Sequence, residues 1–131
     1  MIDIIVTTPK SMSKTAAQEA EDMIKFDGGF YFRTLRTMPK QFGKGSKIFY
    51  VEDGFIRGYL VVDHIVNGQM TCGTTGKNYD GWQAVCDAAS WKWIRPIAMK
   101  GFQGWRYYQY GYKTVVVGDW KAPKPDTKAF K

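Results

Sequence analysis

Residues 47–62 constrain the fold more than any other stretch. Lys47-Ile48-Phe49-Tyr50-Val51-Glu52 and Phe55-Ile56-Arg57-Gly58-Tyr59-Leu60-Val61-Val62 are runs of β-branched and aromatic residues on either side of Asp53-Gly54. Asp-Gly suits a two-residue type I′ turn, in which both central residues take positive φ, and that turn joins twisted antiparallel strands. The stretch therefore predicts a hairpin. Gly58, inside the second strand, predicts a bulge or a close backbone approach.

The remaining elements follow from period and punctuation. Residues 2–7 read as a first strand closed by Thr8-Pro9. Thr15 with Gln18 makes a capping box, and Ala16, Ala20, Met23 and Ile24 recur at helical spacing. Glu21 and Lys25 add an i,i+4 pair, and Asp27-Gly28-Gly29 supplies the stop. Residues 30–35 read as a strand, Asn67-Gly68 as a tight turn, and residues 73–81 as a polar loop. Residues 82–86 read as a strand or a short helix, residues 91–94 as extended before Pro96, and residues 107–117 as strand-like with a break at Gly111. Many short strands with one or two helices predict an α+β fold, a small mixed β-barrel with flanking helices. One domain over residues 1–120 is expected, followed by a flexible basic tail over residues 121–131.

Composition removes several classes. Nothing approaches the roughly 18 consecutive apolar residues of a membrane helix, so no membrane partner is expected. At 16% aromatic content the chain has too much apolar surface for general disorder. Cys72, Cys86 and the single His64 are too few for a structural zinc site, and no cofactor or metal is expected. Residues 1–6 lack the basic start and long apolar run of a secretory leader, and two free thiols suit a reducing compartment, so a cytoplasmic protein is expected.

The charge is unevenly placed. Residues 1–90 hold ten Lys/Arg and ten Asp/Glu, whereas residues 91–131 hold nine against two, so the whole excess of +7 lies in the last third. That third also carries 10 of the 21 aromatic residues. Cations interleaved with aromatics suit phosphate neutralisation and base stacking. A solvated basic face above an aromatic core would give the same composition.

Motifs for catalysis are weak. Thr71-Cys72-Gly73-Thr74-Thr75-Gly76-Lys77-Asn78 approaches a P-loop, but it begins with Thr, ends with Asn, and is not followed by a helix. It reads as a surface loop. His64 follows an apolar strand and reads as structural. Glu52 and Asp53 flank the tight turn and read as solvated. No catalytic set is expected. The stretch from Ser90 to Tyr108 stands apart, with Trp91, Trp93, Trp105, Lys92, Arg95, Lys100 and Arg106 within nineteen residues. If residues 91–95 are extended, Trp91, Trp93 and Arg95 share one face and Lys92 takes the other. At least one tryptophan should be core.

The hairpin, together with Trp91-Lys92-Trp93-Ile94 and Pro96-Ile97-Ala98-Met99-Lys100-Gly101-Phe102-Gln103-Gly104-Trp105-Arg106-Tyr107, resembles small proteins of the PUA-like superfamily, which includes the PUA, ASCH, EVE and YTH domains. The resemblance implies a pseudo-barrel with flanking helices and a cleft that takes RNA or modified bases. Some ASCH proteins hydrolyse modified nucleosides, but their lysine–threonine–glutamate set does not map onto this chain residue by residue.

The leading expectation is a non-enzymatic module for RNA or for single-stranded or modified DNA. Lys92, Arg95, Lys100 and Arg106 would meet phosphates. Trp91, Trp93, Phe102 and Trp105 would stack a base, Gln103 would read a base edge, and Arg57 would border the cleft. The alternatives are a small hydrolase acting on a modified nucleoside, or a basic protein-interaction module of viral or mobile-element origin.

Overall fold

The structure is a computed structural model that describes residues 1–9, 14–26, 28–72 and 76–126. The elements in chain order are β1 (Ile4–Thr7), α1 (Ala16–Phe26), β2 (Phe30–Leu35), β3 (Lys47–Glu52), β4 (Phe55–Asn67), β5 (Met70–Thr71), β6 (Asn78–Tyr79), β7 (Trp82–Ala98), β8 (Trp105–Tyr107), a 3-10 turn (Gly111–Lys113) and β9 (Val116–Asp119). Seven strands form one sheet in the order β2-β7-β4-β3-β1-β8, with β9 also paired to β7. β1 and β3 run parallel, and the other pairs are antiparallel. The sheet curls into a half-barrel, and α1 packs on its inward face.

The expected hairpin is present. β3 pairs with β4 from Lys47↔Val61 to Glu52↔Phe55, and the turn residues Asp53 and Gly54 take φ of 54° and 81°. Gly58 also behaves as expected, since the β4–β7 register slips between Ile56 and Gly58. Two further slips lie between Tyr59 and Val61 and between Val62 and His64. Each bulge bends its strand and adds twist, which is how a flat ladder becomes a curl. The helix begins as its capping box requires: the Thr15 amide donates to Gln18 Oε1 at 2.8 Å, and the Gln18 amide donates to Thr15 Oγ1 at 3.2 Å. Asp27 of the expected stop signal lies outside the described residues.

Two expectations change. Residues 82–86 and 91–94 belong to one 17-residue strand, β7, whose first half pairs with β2 and whose second half pairs with β9. Residues 107–117 are not one strand; β8 ends at Tyr107, and a 3-10 turn separates it from β9. Asn67-Gly68, read as a tight turn, ends β4 and leads into the short β5–β6 ladder, which lies within the connection from β4 to its antiparallel neighbour β7. Gly73, Thr74 and Thr75 of the P-loop-like stretch lie outside the described residues.

The sheet's period of two divides the core. Ile48 and Tyr50 join Ile4, Val6, Leu60, Trp91, Trp93 and the apolar stripe of α1 in one buried cluster. Phe49 and Val51 join Ile5, Ile56, Tyr59 and Ile94 in a second, against which Met99, Phe102, Tyr108 and Tyr110 pack. Phe49 and Tyr108 stack with centroids 3.6 Å apart.

Residues 121–126, expected to hang free, are docked instead. The Trp93 indole N–H donates to the Ala122 carbonyl at 3.2 Å, and Arg57 Nη2 donates to the Pro125 carbonyl at 2.7 Å. Proline and lysine content signalled flexibility, but two buried donors need acceptors and this segment supplies them. Residues 127–131, including Phe130, lie outside the described residues. Truncation after Lys121 is expected to cost about 2 kcal/mol, because two interior donors lose their partners. Thermal denaturation should show a drop of roughly 5–10 °C, and an unchanged melting temperature would show that the docking is incidental.

Candidate functional site

At the C-terminal ends of β1 and β3 the curled sheet opens into a pocket of about 530 Å³. Its wall comprises Thr7, Thr8 and Pro9 after β1, Lys14 and Thr15 at the start of α1, Val51 to Gly54 around the hairpin turn, and Gly101. The alternation that buries Ile48 and Tyr50 also turns Glu52 inward. Glu52 is only 5% exposed, whereas the Asp53 side chain is 80% exposed. The expectation that both are solvated holds for Asp53 alone. The even positions of β3 were the signal that could have found Glu52.

Glu52 is anchored on one side. Its Oε2 accepts the Thr8 hydroxyl at 2.7 Å and the Ala16 amide at 2.8 Å. Ala16 opens α1, so the carboxylate satisfies one of the amides that a helix start leaves unpaired, at the end of the helix dipole that favours negative charge. Its Oε1 is buried and has no hydrogen-bond partner.

The loop after β7 forms the adjoining wall. The Phe102 amide donates to Thr7 Oγ1 at 3.1 Å, and the Arg106 guanidinium sits 4.2 Å above the Phe102 ring. Lys100, Gln103 and Arg106 are exposed, and Phe102 is half-buried. Trp105 is half-buried too; its indole N–H is shared by the carbonyl and hydroxyl of Thr37, both at 3.1 Å, and its ring meets Tyr107 edge-on. Lys100, Phe102, Gln103, Trp105 and Arg106 thus lie on the segment around the pocket-lining Gly101, with Phe102 packed against the Phe49 cluster and Trp105 against the Trp91 cluster.

The other expected site residues lie elsewhere. Trp91 is fully buried and Trp93 is 5% exposed, their rings edge-to-face at 5.2 Å. Neither has a free face for a base, because the curl of the sheet turns their shared side inward. Arg57 is 2% exposed and lies 5.9 Å from the Trp93 ring, so it braces the interior rather than bordering a cleft. Burial lowers its pKa from the ordinary value, and Glu52 and Asp53 oppose that shift. Lys92 is half-buried on β7 and Arg95 is exposed further along it. Arg95 is exposed where Trp91 and Trp93 are buried, and its amide donates to the Val115 carbonyl at 2.8 Å.

His64 lies outside the pocket, half-exposed on β4, with Nδ1 2.7 Å from Asp63. Burial raises the Cys86 thiol pKa far above its ordinary value and keeps the sulfur protonated. Among the described residues no cluster of three His, Cys, Asp or Glu could hold a metal ion, and no helix is long and apolar enough to cross a membrane. No family model, curated protein or solved structure matches the chain.

Proposed function

We propose that this chain is a PUA-like binding module for RNA or for single-stranded or base-modified DNA. One observation carries the reading: Lys100, Phe102, Gln103 and Arg106 share a segment whose neighbouring Gly101 walls a pocket of about 530 Å³. Exposed cations neutralise phosphates with little sequence preference. An aromatic ring beside them offers a stacking surface, and a glutamine offers a paired donor and acceptor. Trp105 extends the segment with a second ring. Lys92 and Arg95 extend the positive charge along β7, outside the immediate pocket.

Substituting both Lys100 and Arg106 by alanine is expected to weaken binding similarly for all sequences. The plot of log affinity against log salt should flatten by about 1.4, at roughly 0.7 for each single-strand phosphate that is no longer neutralised. Phe102→Ala should instead cost on the order of 1–3 kcal/mol of binding with little change in that slope. Anisotropy titrations against RNA, single-stranded DNA and duplex at several salt concentrations make the test. Absence of binding to every nucleic acid at low salt overturns the reading.

A second reading, hydrolysis of a modified nucleoside, has its own support in the pocket, which gathers Lys14, Thr8, Thr15 and Glu52. These are the residue types of the ASCH hydrolase set, although Lys14 is already paired with Asp22. Incubation with a panel of base-modified nucleosides, read by chromatography, separates the two: turnover abolished by Glu52→Gln supports hydrolysis, and its absence leaves binding.

A further inference from the structure

Strand β9 is an open edge of the sheet. It pairs with β7 on one side and, among the described residues, with no strand on the other. Val115, Val116 and Val117 are 51%, 50% and 48% exposed, and Tyr112 beside them is 80% exposed. Successive residues of a strand point to opposite faces, so both faces of this edge present apolar side chains to solvent. The backbone is open as well. The Val115 carbonyl is turned to β7, where it accepts the Arg95 amide at 2.8 Å, so the pleat turns the N–H and C=O of Val116 to the free side. Folds commonly guard such an edge with lysine, proline or a bulge. From Thr114 to Gly118 there is no charge and no proline, and the one irregularity is Val117, which a register slip leaves without a partner on β7.

The residues on either side of Val116 match one another in reverse. Val115 corresponds to Val117, Thr114 to Gly118, and Lys113 to Asp119. An antiparallel pairing of two copies centred on Val116 therefore sets valine against valine and, at each end, Lys113 against Asp119. Among the described residues neither charge takes part in a salt bridge. A two-fold interface requires self-complementarity of this kind, because each patch must meet its own copy. We propose that β9 pairs with β9 of a second copy about a two-fold axis through Val116, where the two Val116 residues exchange both N–H···O bonds. The Thr114 amide is already taken by the Gly111 carbonyl at 3.2 Å, so the ladder is short. Its area falls below that of standard interfaces, and a dissociation constant on the order of 100 μM is expected. This contact needs no ligand and goes beyond nucleic-acid binding.

Sedimentation velocity of the full chain, carried up to about ten times that dissociation constant, measures the association. Lys113→Asp sets two carboxylates together at each end of the ladder, and Asp119→Lys sets two ammonium groups together. Each variant alone is expected to associate about tenfold more weakly. An equimolar mixture of the two should recover the association, because a carboxylate then meets an ammonium at both ends. Recovery on mixing is a result that misfolding cannot imitate. Asp119 Oδ1 also accepts the Lys121 amide, so a second pair of variants guards against a folding defect at that site. Val116→Lys and Val116→Glu change a half-exposed side chain on the axis itself; each alone should be monomeric, and their mixture should associate.

A full chain that stays monomeric throughout that range overturns the inference. Association that all four substitutions leave unchanged overturns it too, and assigns the contact to another surface. Mixtures no stronger than their components overturn the antiparallel register. If the full chain is monomeric and removal of residues 127–131 produces a dimer, the edge belongs to that segment and intact copies do not pair.

Discussion

Trp91→Ala is expected to lower folding stability by about 3–5 kcal/mol, which is a large part of the 5–15 kcal/mol that typically holds a domain together. Trp91 is the largest fully buried side chain in the structure. Its indole meets Tyr50 at 6.0 Å and Trp93 at 5.2 Å inside the cluster that joins α1 to the sheet. The surrounding strands are tied by ladders and cannot collapse into the space, so both the lost transfer energy and the cavity count. The melting temperature should fall by roughly 10–20 °C. Trp91→Phe keeps most of the volume and removes an indole N–H that is buried without a partner, so its cost should be far smaller. Denaturation of both variants beside Phe102→Ala separates core from site. Phe102→Ala should keep most of its stability and lose binding. A Trp91→Ala protein with normal stability and weakened binding would return Trp91 to the surface.

How far the sequence was legible depended on whether a signal was local. The Asp53-Gly54 turn and the Thr15–Gln18 box are decided by neighbours within a few residues, and both formed as the residues dictated. Strand β7 was not legible as one element, because Asp87-Ala88-Ala89-Ser90 has no strand formers of its own. It is extended because β4 pairs along both halves of it, and Ser90 Oγ accepts the Val61 amide at 2.8 Å. Tertiary pairing overrode propensity there. The aromatic cluster shows the same limit. Alternation correctly put Trp91 and Trp93 on one face, but whether that face looks in or out is set by the curl, which arises from bulges on β4 and β7. Arg57 is the reverse case: arginine is seldom buried, yet residues 121–126 fold over it and supply an acceptor. The pocket gathers residues 7–9, 14–15, 51–54 and 101, which no spacing rule connects. Only the register of β3 pointed to Glu52.

Gly58→Ala tests the bulge that makes this curl. A Cβ at position 58 would lie 2.3 Å from the Lys92 carbonyl oxygen and 2.6 Å from Trp91 Cζ2. The first neighbour is backbone of the paired strand, so no rotamer change can relieve it. β4 and β7 must separate where Gly58 faces Trp93 and Tyr59 faces Lys92, loosening the ladder that carries both tryptophans. The expected cost is about 3 kcal/mol or more, at the upper end for overpacking. Gly43→Ala is the matched control, since nothing lies within 4 Å of a Cβ there and its φ is not positive. That change should be neutral or slightly stabilising through the unfolded chain. The two large effects should also be coupled. With Trp91→Ala in place, the clash with Cζ2 disappears but the clash with the Lys92 carbonyl remains, so Gly58→Ala should cost less there, though not nothing. Denaturant titration of the four proteins in that cycle measures the difference. Strict additivity would mean that the indole sets no limit on position 58. Full cancellation would mean that the carbonyl moves aside freely and the bulge is not needed for the pairing of β4 with β7.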